Sequence, residues 1–140
     1  MERILIGVDG SEPSLSAARL GAEIAARFGA RLTLATVITA ASEPVYLYGD
    51  TRSEVERAQE ERAKQVLSAA IEKVSRPGLE VETLVLHGGA AEALADAAAG
   101  RDVGLVVVGS RGIGAVARVL LGSVSGRLVH VSPKPVLVVP

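Results

Sequence analysis

The sequence predicts a three-layer α/β sandwich, in which helices cover both faces of a five-stranded, mainly parallel sheet. Short runs rich in β-branched residues alternate with helical patterns along the whole chain, which is typical of parallel sheets joined by right-handed crossovers. Several runs are almost continuously apolar, as in strands covered on both faces. The 140 residues are 49% hydrophobic but only 2% aromatic. We therefore expect one domain, residues 1–140, with an aliphatic core.

Five strands are predicted from these runs. The first, fourth and fifth are nearly continuous apolar segments, whereas the third alternates valine and threonine with more polar residues and is expected to be half exposed. In chain order, the predicted strands cover Arg3–Asp9, Arg31–Thr39, Leu79–His87, Val103–Gly109 and Pro135–Val139.

Four helices are predicted between the strands. The first opens on Ser11 and Pro13, as capped helices do, and ends at Gly29, while Pro77 and Gly78 stop the second. In chain order, the helices cover Ser11–Phe28, Glu54–Ser75, Gly89–Ala99 and Ser123–His130. The second helix is expected to bury a stripe formed by Val55, Ala58, Arg62, Val66, Ala69, Ala70 and Val74.

Composition and charge argue against several classes of function. Fifteen basic and sixteen acidic residues give a formal net charge of -1, whereas a general nucleic-acid binder needs a large basic excess. The sequence has no cysteine, which rules out disulfides, thiolate metal sites and cysteine nucleophiles. Neither a signal peptide nor an apolar stretch of about 20 residues is recognised. These features favour a cytoplasmic protein without a membrane partner.

Glycine-containing segments lie at the carboxyl ends of the first and fourth strands. Ligands of parallel sheets bind beyond the carboxyl ends of strands where strand order reverses, and these two strands are the expected neighbours at that point. The first segment contains Asp9, and the second contains Gly109 and Gly112 and leads to a helix that starts near Gly122 and Ser123. Because glycines let an anion approach the backbone and a helix N-terminus attracts it, a phosphate site is predicted.

Side chains can add to this site, although each has a simpler explanation. Ser123 and Ser125 offer hydroxyl donors, and Arg111 brings a positive charge. The loop could instead be an ordinary strand-to-helix turn, Asp9 a helix cap, and Arg111 a solvated side chain. Other nucleotide motifs fit poorly, because the sequence lacks GxxxxGK[ST] and the third glycine of GxGxxG.

The spacing Gly109-x2-Gly112-x9-Gly122-Ser123, continued by Val124, resembles the nucleotide signature of the ATP-binding universal stress proteins. The resemblance extends over the whole chain, since ILIGVDGS, VGLVVVGSRG and SPKPVLVVP are similar to landmarks of that family. It implies a Rossmann-like fold of the adenine nucleotide alpha hydrolase-like type. It also implies a nucleotide-dependent stress-response or regulatory module.

The resemblance further implies roles for individual positions. Asp9 is expected beside the adenosine, and the backbone of Val37 is expected to read the adenine edge. Gly109 and Gly112 would pass under the ribose and phosphates. ATP is the implied ligand, with Mg²⁺ held mainly by phosphates and water. The helix start that would bind the phosphates consists of Gly122, Ser123, Val124 and Ser125.

Two alternatives to a binding module stay open. One is a slow ATPase or self-phosphorylating enzyme. Ser123 and Ser125 could accept a phosphoryl group, but they could equally only donate hydrogen bonds. Fast hydrolysis needs a placed base and metal ligands near the γ-phosphate, whereas Asp9, the one obvious carboxylate, is expected at the adenosine end. The other alternative is a nucleotide-free interaction module, against which the retained glycines argue.

A homodimer is expected from the last strand. Val136–Val139 is apolar, and no later element covers its edge, so the same strand of a second copy can pair with it. The long connection from Ala40 to Ser53 holds Tyr46 and Tyr48, for which the sequence predicts no role.

Overall fold

The chain folds into five strands and four helices in the predicted β-α-β-α-β-α-β-α-β order. The computed structural model describes residues 1–39, 52–112 and 121–140; Tyr46 and Tyr48 lie outside these ranges. The strands are β1 (Arg3–Gly7), β2 (Arg31–Ile38), β3 (Val81–His87), β4 (Val103–Gly109) and β5 (Val136–Val139). The helices are α1 (Glu12–Phe28), α2 (Arg52–Val74), α3 (Ala90–Ala98) and α4 (Ser123–Val131).

The strands form one sheet in the order β3-β2-β1-β4-β5. Each neighbouring pair is parallel, and helices cover both faces, so the predicted α/β sandwich is confirmed. β1 and β4 are neighbours as predicted. Because the chain winds outwards in opposite directions from this pair, a crevice opens beyond their carboxyl ends.

Each face of the sheet has its own apolar core. Successive side chains of a strand point to opposite faces, so Ile4 and Ile6 meet α1 and α2, whereas Leu5 meets α3 and α4 around Leu128. The buried face of α1 consists only of serine, alanine and glycine. Small side chains let this helix lie close to the sheet.

Local signals explain the ends of α1. Ser11 is the N-cap, and its side chain accepts a hydrogen bond from the Ser14 amide. Gly29 ends the helix in the left-handed conformation, with a φ of 67°, which glycine adopts without steric cost. Both ends are therefore as predicted.

The buried face of α2 differs from the predicted stripe. The residues that it buries are Ala63, Leu67, Ala70 and Val74, whereas Ala58, Arg62 and Ala69 are exposed. The stripe is rotated by about one residue because the bulky Leu67, rather than small Ala69, is directed into the core. As a result, Arg62 stays at the solvent-exposed border of the helix.

Strand β3 is more exposed than predicted. Leu84 and Val85 point to opposite faces of the sheet, and each is 39% exposed. The physical reason is that β3 is an edge strand bonded only to β2, at the margin of both helical layers. Within the described ranges, none of the helices combines the length and apolar character that crossing a membrane requires.

An ion-pair network joins the amino ends of the strands, opposite the crevice. Arg3 Nε donates to Asp102 Oδ2 at 2.7 Å, and Arg3 Nη1 donates to Glu82 Oε2 and Thr33 Oγ1, both at 2.6 Å. The Arg3 hydrogen bond holds the pKa of Asp102 below its usual value. The network therefore favours the ionised carboxylate in the folded state.

Acid is expected to weaken this network. A lowered folded-state pKa stabilises the protein above the ordinary aspartate pKa of about 3.9, and this contribution is lost as pH falls through the folded value. We expect the free energy of unfolding to decrease as the pH is lowered from the ordinary aspartate pKa through the folded-state pKa. The decrease should be less steep for Asp102→Asn than for the wild type. Urea denaturation at several pH values measures both slopes. Identical acid slopes would exclude a role for Asp102.

Candidate functional site

A cavity of about 650 Å³ opens beyond the carboxyl ends of β1, β2 and β4. Its volume lies in the range of roughly 300–1,000 Å³ that is usual for small-molecule sites. Residues of α2 line one end, and the first turn of α4 lines the other. All the site residues predicted from the sequence line this cavity, namely Asp9, Val37, Gly109, Arg111, Gly112, Gly122, Ser123, Val124 and Ser125.

The first turn of α4 presents open amide groups. Its N-cap is Gly122, which makes no side-chain cap, and the first helical bond joins the Gly126 N–H to the Gly122 carbonyl at 2.9 Å. The amides of Ser123, Val124 and Ser125 therefore have no partner within the helix. At a helix N-terminus, such amides and the helix dipole favour an anion. The N-terminus of α1 differs, because its own serine caps it.

The Ser125 hydroxyl faces the protein rather than the cavity. The residue is only 2% exposed, and its Oγ donates to the Ser110 carbonyl at 2.9 Å. In this structure the hydroxyl is therefore engaged by the protein and is not directed at the cavity as expected. It links the start of α4 to the residue after β4. Ser123, in contrast, is exposed and lines the cavity at the helix start, as predicted.

This contact predicts different effects for two serine-to-alanine variants. Ser125→Ala removes a buried hydrogen bond and is expected to lower the free energy of unfolding by about 1 kcal/mol. Ser123→Ala changes an exposed side chain and is expected to stay within about 0.5 kcal/mol of the wild type. Urea denaturation of both variants checks this, and equal losses would contradict the assigned hydrogen bond.

The glycines of the site permit close approaches of the backbone. A Cβ on Gly109 would lie 2.7 Å from the Pro13 carbonyl carbon and 2.8 Å from the Ser14 nitrogen. A Cβ on Gly122 would lie 3.2 Å from the Ser110 carbonyl oxygen. Glycine at these two positions therefore lets the end of β4 contact both α1 and α4.

Asp9 is held in a tight turn at the cavity. Its Oδ1 accepts a hydrogen bond from the Ser11 amide at 2.9 Å and another from the Ser11 hydroxyl. Its Oδ2 lies close to Gly112, since a Cβ added to that glycine would be 2.7 Å from Oδ2. No hydrogen bond to Oδ2 is found in the part of the chain that the structure describes. The alternative that Asp9 caps α1 is wrong, since Ser11 is the cap.

Val37 presents its backbone to the cavity. The hydrogen bonds between β1 and β2 end with the Val8 amide donating to the Ala35 carbonyl at 2.8 Å. The backbone N–H and C=O groups of successive residues point to alternate edges of a strand. Those of Val37 therefore point to the same edge of β2 as those of Ala35, towards β1. They have no partner on β1, because the β1–β2 pairing ends at Ala35. The N–H donor and the C=O acceptor of Val37 are therefore both directed into the cavity.

The wall of the cavity that α2 forms was not predicted from the sequence. Gln59, Arg62, Ala63 and Val66 line the cavity. The sequence signal was Arg62 itself, a cation in an otherwise apolar stripe. Among the residues described, no cluster of three or more histidine, cysteine, aspartate or glutamate side chains is placed to hold a metal ion.

Comparisons with known proteins agree over the full length. The model of the universal stress protein family matches residues 1–140. A universal stress protein of Thermus aquaticus is 38% identical over 138 residues, covering 97% of this chain and 96% of that protein. A Mycolicibacterium smegmatis universal stress protein is also 38% identical, but the chain spans only 47% of its length.

Solved structures of similar proteins share the fold. The universal stress protein UspA from Lactobacillus plantarum superimposes with a TM-score of 0.85 at 25% identity, covering 99% of this chain and 97% of that one. A universal stress protein solved in complex with cAMP has a TM-score of 0.75 at 28% identity, with the same coverage. From the family match and the relatives that it covers, this chain belongs to the universal stress protein family.

Proposed function

We propose that this protein binds an adenine nucleotide, ATP in particular, and acts as a cytoplasmic nucleotide-dependent stress-response or regulatory module. The observation that carries the proposal is the uncapped N-terminus of α4, which opens on the same cavity as the Val37 backbone. One end of the cavity favours an anion, and the other offers a paired donor and acceptor. This polarity fits the phosphates and the base of a nucleotide.

The order of the strands fits the order of the parts of a nucleotide. In the sequence β2-β1-β4, β2 carries Val37, β1 leads to Asp9, and β4 leads to the loop before α4. A nucleotide lying across these ends would have its base at β2, its ribose at β1 and its phosphates at α4. The topology of the sheet therefore supports this order of base, ribose and phosphates.

The Val37 backbone suits adenine better than guanine. Its N–H would donate to adenine N1, and its C=O would accept from the adenine amino group. Guanine presents a carbonyl and an N–H in the reverse arrangement, so both contacts would be lost, and unpaired polar groups in a site disfavour a ligand strongly. The aliphatic side chains of Ala63 and Val66 line the same region.

The phosphates would lie against the first turn of α4. The amides of Ser123, Val124 and Ser125 and the Ser123 hydroxyl would donate to their oxygens, and Arg111 lines the same cavity. Mg²⁺ bound with a triphosphate would be held mainly by the phosphates and water. The related protein solved with cAMP supports an adenine nucleotide as the ligand.

Binding with little turnover is proposed rather than fast hydrolysis. Asp9 is the only carboxylate among the cavity-lining residues of the described part of the chain, and in the proposed pose it lies beside the ribose. In a slow self-phosphorylating enzyme, the exposed Ser123 would be the acceptor, because Ser125 is buried and its hydroxyl is engaged. The open helix end disfavours a nucleotide-free interaction module.

The proposal is tested by nucleotide release and titration. We expect denaturation of the purified protein to release an adenine nucleotide, identified by mass spectrometry. Calorimetric titration of the stripped protein should give ATP a Kd at least about tenfold lower than that of GTP, since a site that reads hydrogen bonds rejects the wrong pattern. Failure to bind ATP, or equal affinity for GTP, would refute the proposal.

A homodimer through β5 is proposed as well. β5 is an edge strand bonded only to β4. The carbonyls of Pro135 and Val139 accept hydrogen bonds from β4 and its following residue, so the peptide group of Val138 faces the open edge. We expect light scattering to show twice the mass of one chain for the wild type and Val138→Thr. Val138→Pro removes the outward N–H and should give a monomer; a monomeric wild type would contradict the proposal.

A further inference from the structure

A network of three residues surrounds the Asp9 carboxylate. Asp9 Oδ1 accepts from both the amide and the hydroxyl of Ser11. The Asp9 amide is 3.3 Å from the Oγ of Ser14, which is only 3% exposed and itself donates to the Ser11 carbonyl at 2.9 Å. Both the side chain and the backbone of Asp9 are therefore held in place.

The Ser11 hydroxyl lies at the centre of this network. Besides donating to Asp9, its Oγ accepts from the Ser14 amide at 3.3 Å, which caps α1. It also lies 3.5 Å from the Arg111 carbonyl oxygen, in the loop after β4. One hydroxyl thus contacts the carboxylate, the helix cap and the second loop of the cavity.

We propose that Ser11 is a positioning residue that makes the site selective for nucleotides that carry the ribose hydroxyl facing Asp9. Its bond to Oδ1 holds the carboxylate so that Oδ2, beside Gly112, points into the cavity to accept from the ribose. This inference rests on the proposed function, because it assigns a task to a residue of the same site. Ser11 itself touches Asp9 rather than the ligand.

The physical reason is the cost of ordering a side chain. Asp9 is exposed, and without the Ser11 hydroxyl only the Ser11 amide, among the described residues, would hold its carboxylate. The carboxylate would then sample more orientations, which would have to be narrowed each time a ligand binds. A carboxylate held beforehand avoids this cost and strengthens its hydrogen bond to the ligand. Loss of the Ser11 hydroxyl should therefore weaken the binding of ligands that have the hydroxyl facing Asp9 and leave the binding of ligands without it nearly unchanged.

The test compares ATP with 2′-deoxy-ATP and 3′-deoxy-ATP by calorimetry. Ser11→Gly removes the hydroxyl but keeps a residue that is well tolerated as an N-cap, whereas Ser11→Thr keeps the hydroxyl. In the wild type and Ser11→Thr, we expect ATP to bind about tenfold more tightly than the weaker deoxy analogue, as for one hydrogen bond to a charged group. In Ser11→Gly, this ratio should fall to within about threefold, with the affinity for that analogue unchanged.

Each outcome decides the inference. An unchanged ratio in Ser11→Gly, while the wild type binds ATP, would overturn the positioning role and leave the proposed function intact. Equal weakening of ATP and both analogues would show a purely structural cap and would also overturn it. A wild type that binds no ATP would overturn both. As a second check, Ser11→Ala in an Asp9→Ala background should not change the ratio further; a further change would contradict action through Asp9.

Discussion

Replacing Gly122 with valine is expected to weaken ATP binding by about 100-fold, as when one or two hydrogen bonds to a charged group are lost. Any Cβ at this position would lie 3.2 Å from the Ser110 carbonyl oxygen and 3.3 Å from the Arg111 Cα. Both are backbone atoms, so the start of α4 must move to relieve the contact. The backbone angles are not the obstacle, since φ is −74° and ψ is 174°, an extended conformation that valine adopts readily.

Gly126→Ala is the matched control for this variant. Gly126 belongs to the same helix, and a Cβ there would meet nothing closer than the Leu121 Cβ at 3.9 Å, an ordinary contact. We expect this variant to bind ATP as the wild type does. Calorimetry gives both affinities, and circular dichroism confirms that both variants fold. Wild-type affinity in folded Gly122→Val would mean that the phosphates do not bind at this helix end.

Replacing Gly109 with alanine is expected to lower the free energy of unfolding by about 3 kcal/mol, the upper range for overpacking a well-filled interior. A Cβ at Gly109 would lie 2.7 Å from the Pro13 carbonyl carbon and 2.8 Å from the Ser14 nitrogen. These atoms belong to the first turn of α1, so the added methyl group would push the helix off the sheet. Urea denaturation measures the loss.

Gly109→Ala also distinguishes two explanations for Gly109: that it serves only the ligand, or that it serves the contact between β4 and α1. If Gly109 served only the ligand, Gly109→Ala would leave the stability of the nucleotide-free protein unchanged. The structure instead assigns this glycine to the contact between β4 and α1. Gly126→Ala, with its ordinary contacts, again serves as the control and should not destabilise the protein. A loss below about 0.5 kcal/mol for Gly109→Ala, the usual size of a neutral surface change, would contradict this assignment.

Most of the fold could be predicted because its signals are local. Apolar runs mark the central strands, and the ends of α1 depend on Ser11 and Gly29, which act within one helical turn. β1 and β4 were expected to be neighbours because doubly wound sheets reverse their strand order at such a pair, and they are paired in the structure. The site residues could be placed together for the same reason, because the carboxyl ends of these strands meet at one edge.

Features that depend on distant neighbours could not be predicted. The Ser125 hydroxyl is directed at Ser110, which only the packing of α4 against β4 reveals. The stripe of α2 was predicted only in part, at Ala70 and Val74, because alanines fit several helical faces equally well and only Leu67 distinguishes the buried one. The exposure of β3 depends on its place at the edge of the sheet, which no local pattern records.

The support of Asp9 by Ser11 is an intermediate case. An aspartate two residues before a serine often accepts its amide hydrogen in a turn, so this local bond was visible in the sequence. The contact of Ser11 with the Arg111 carbonyl was not, because the two residues come from different loops. The sequence therefore indicated the local bond of Ser11 to Asp9, but only the packing of the two loops shows its contact with the Arg111 carbonyl.

The most direct test of the central claim is to follow the backbone amide signals by NMR while ATP is added. We expect the amides of Val37, Ser123, Val124 and Ser125 to shift together and to saturate at one stoichiometric equivalent, because the base and the phosphates would contact both ends of the cavity. Inorganic phosphate should shift only the α4 amides. Shifts confined to another surface, or none at Val37 and α4, would contradict a nucleotide site between β2 and α4.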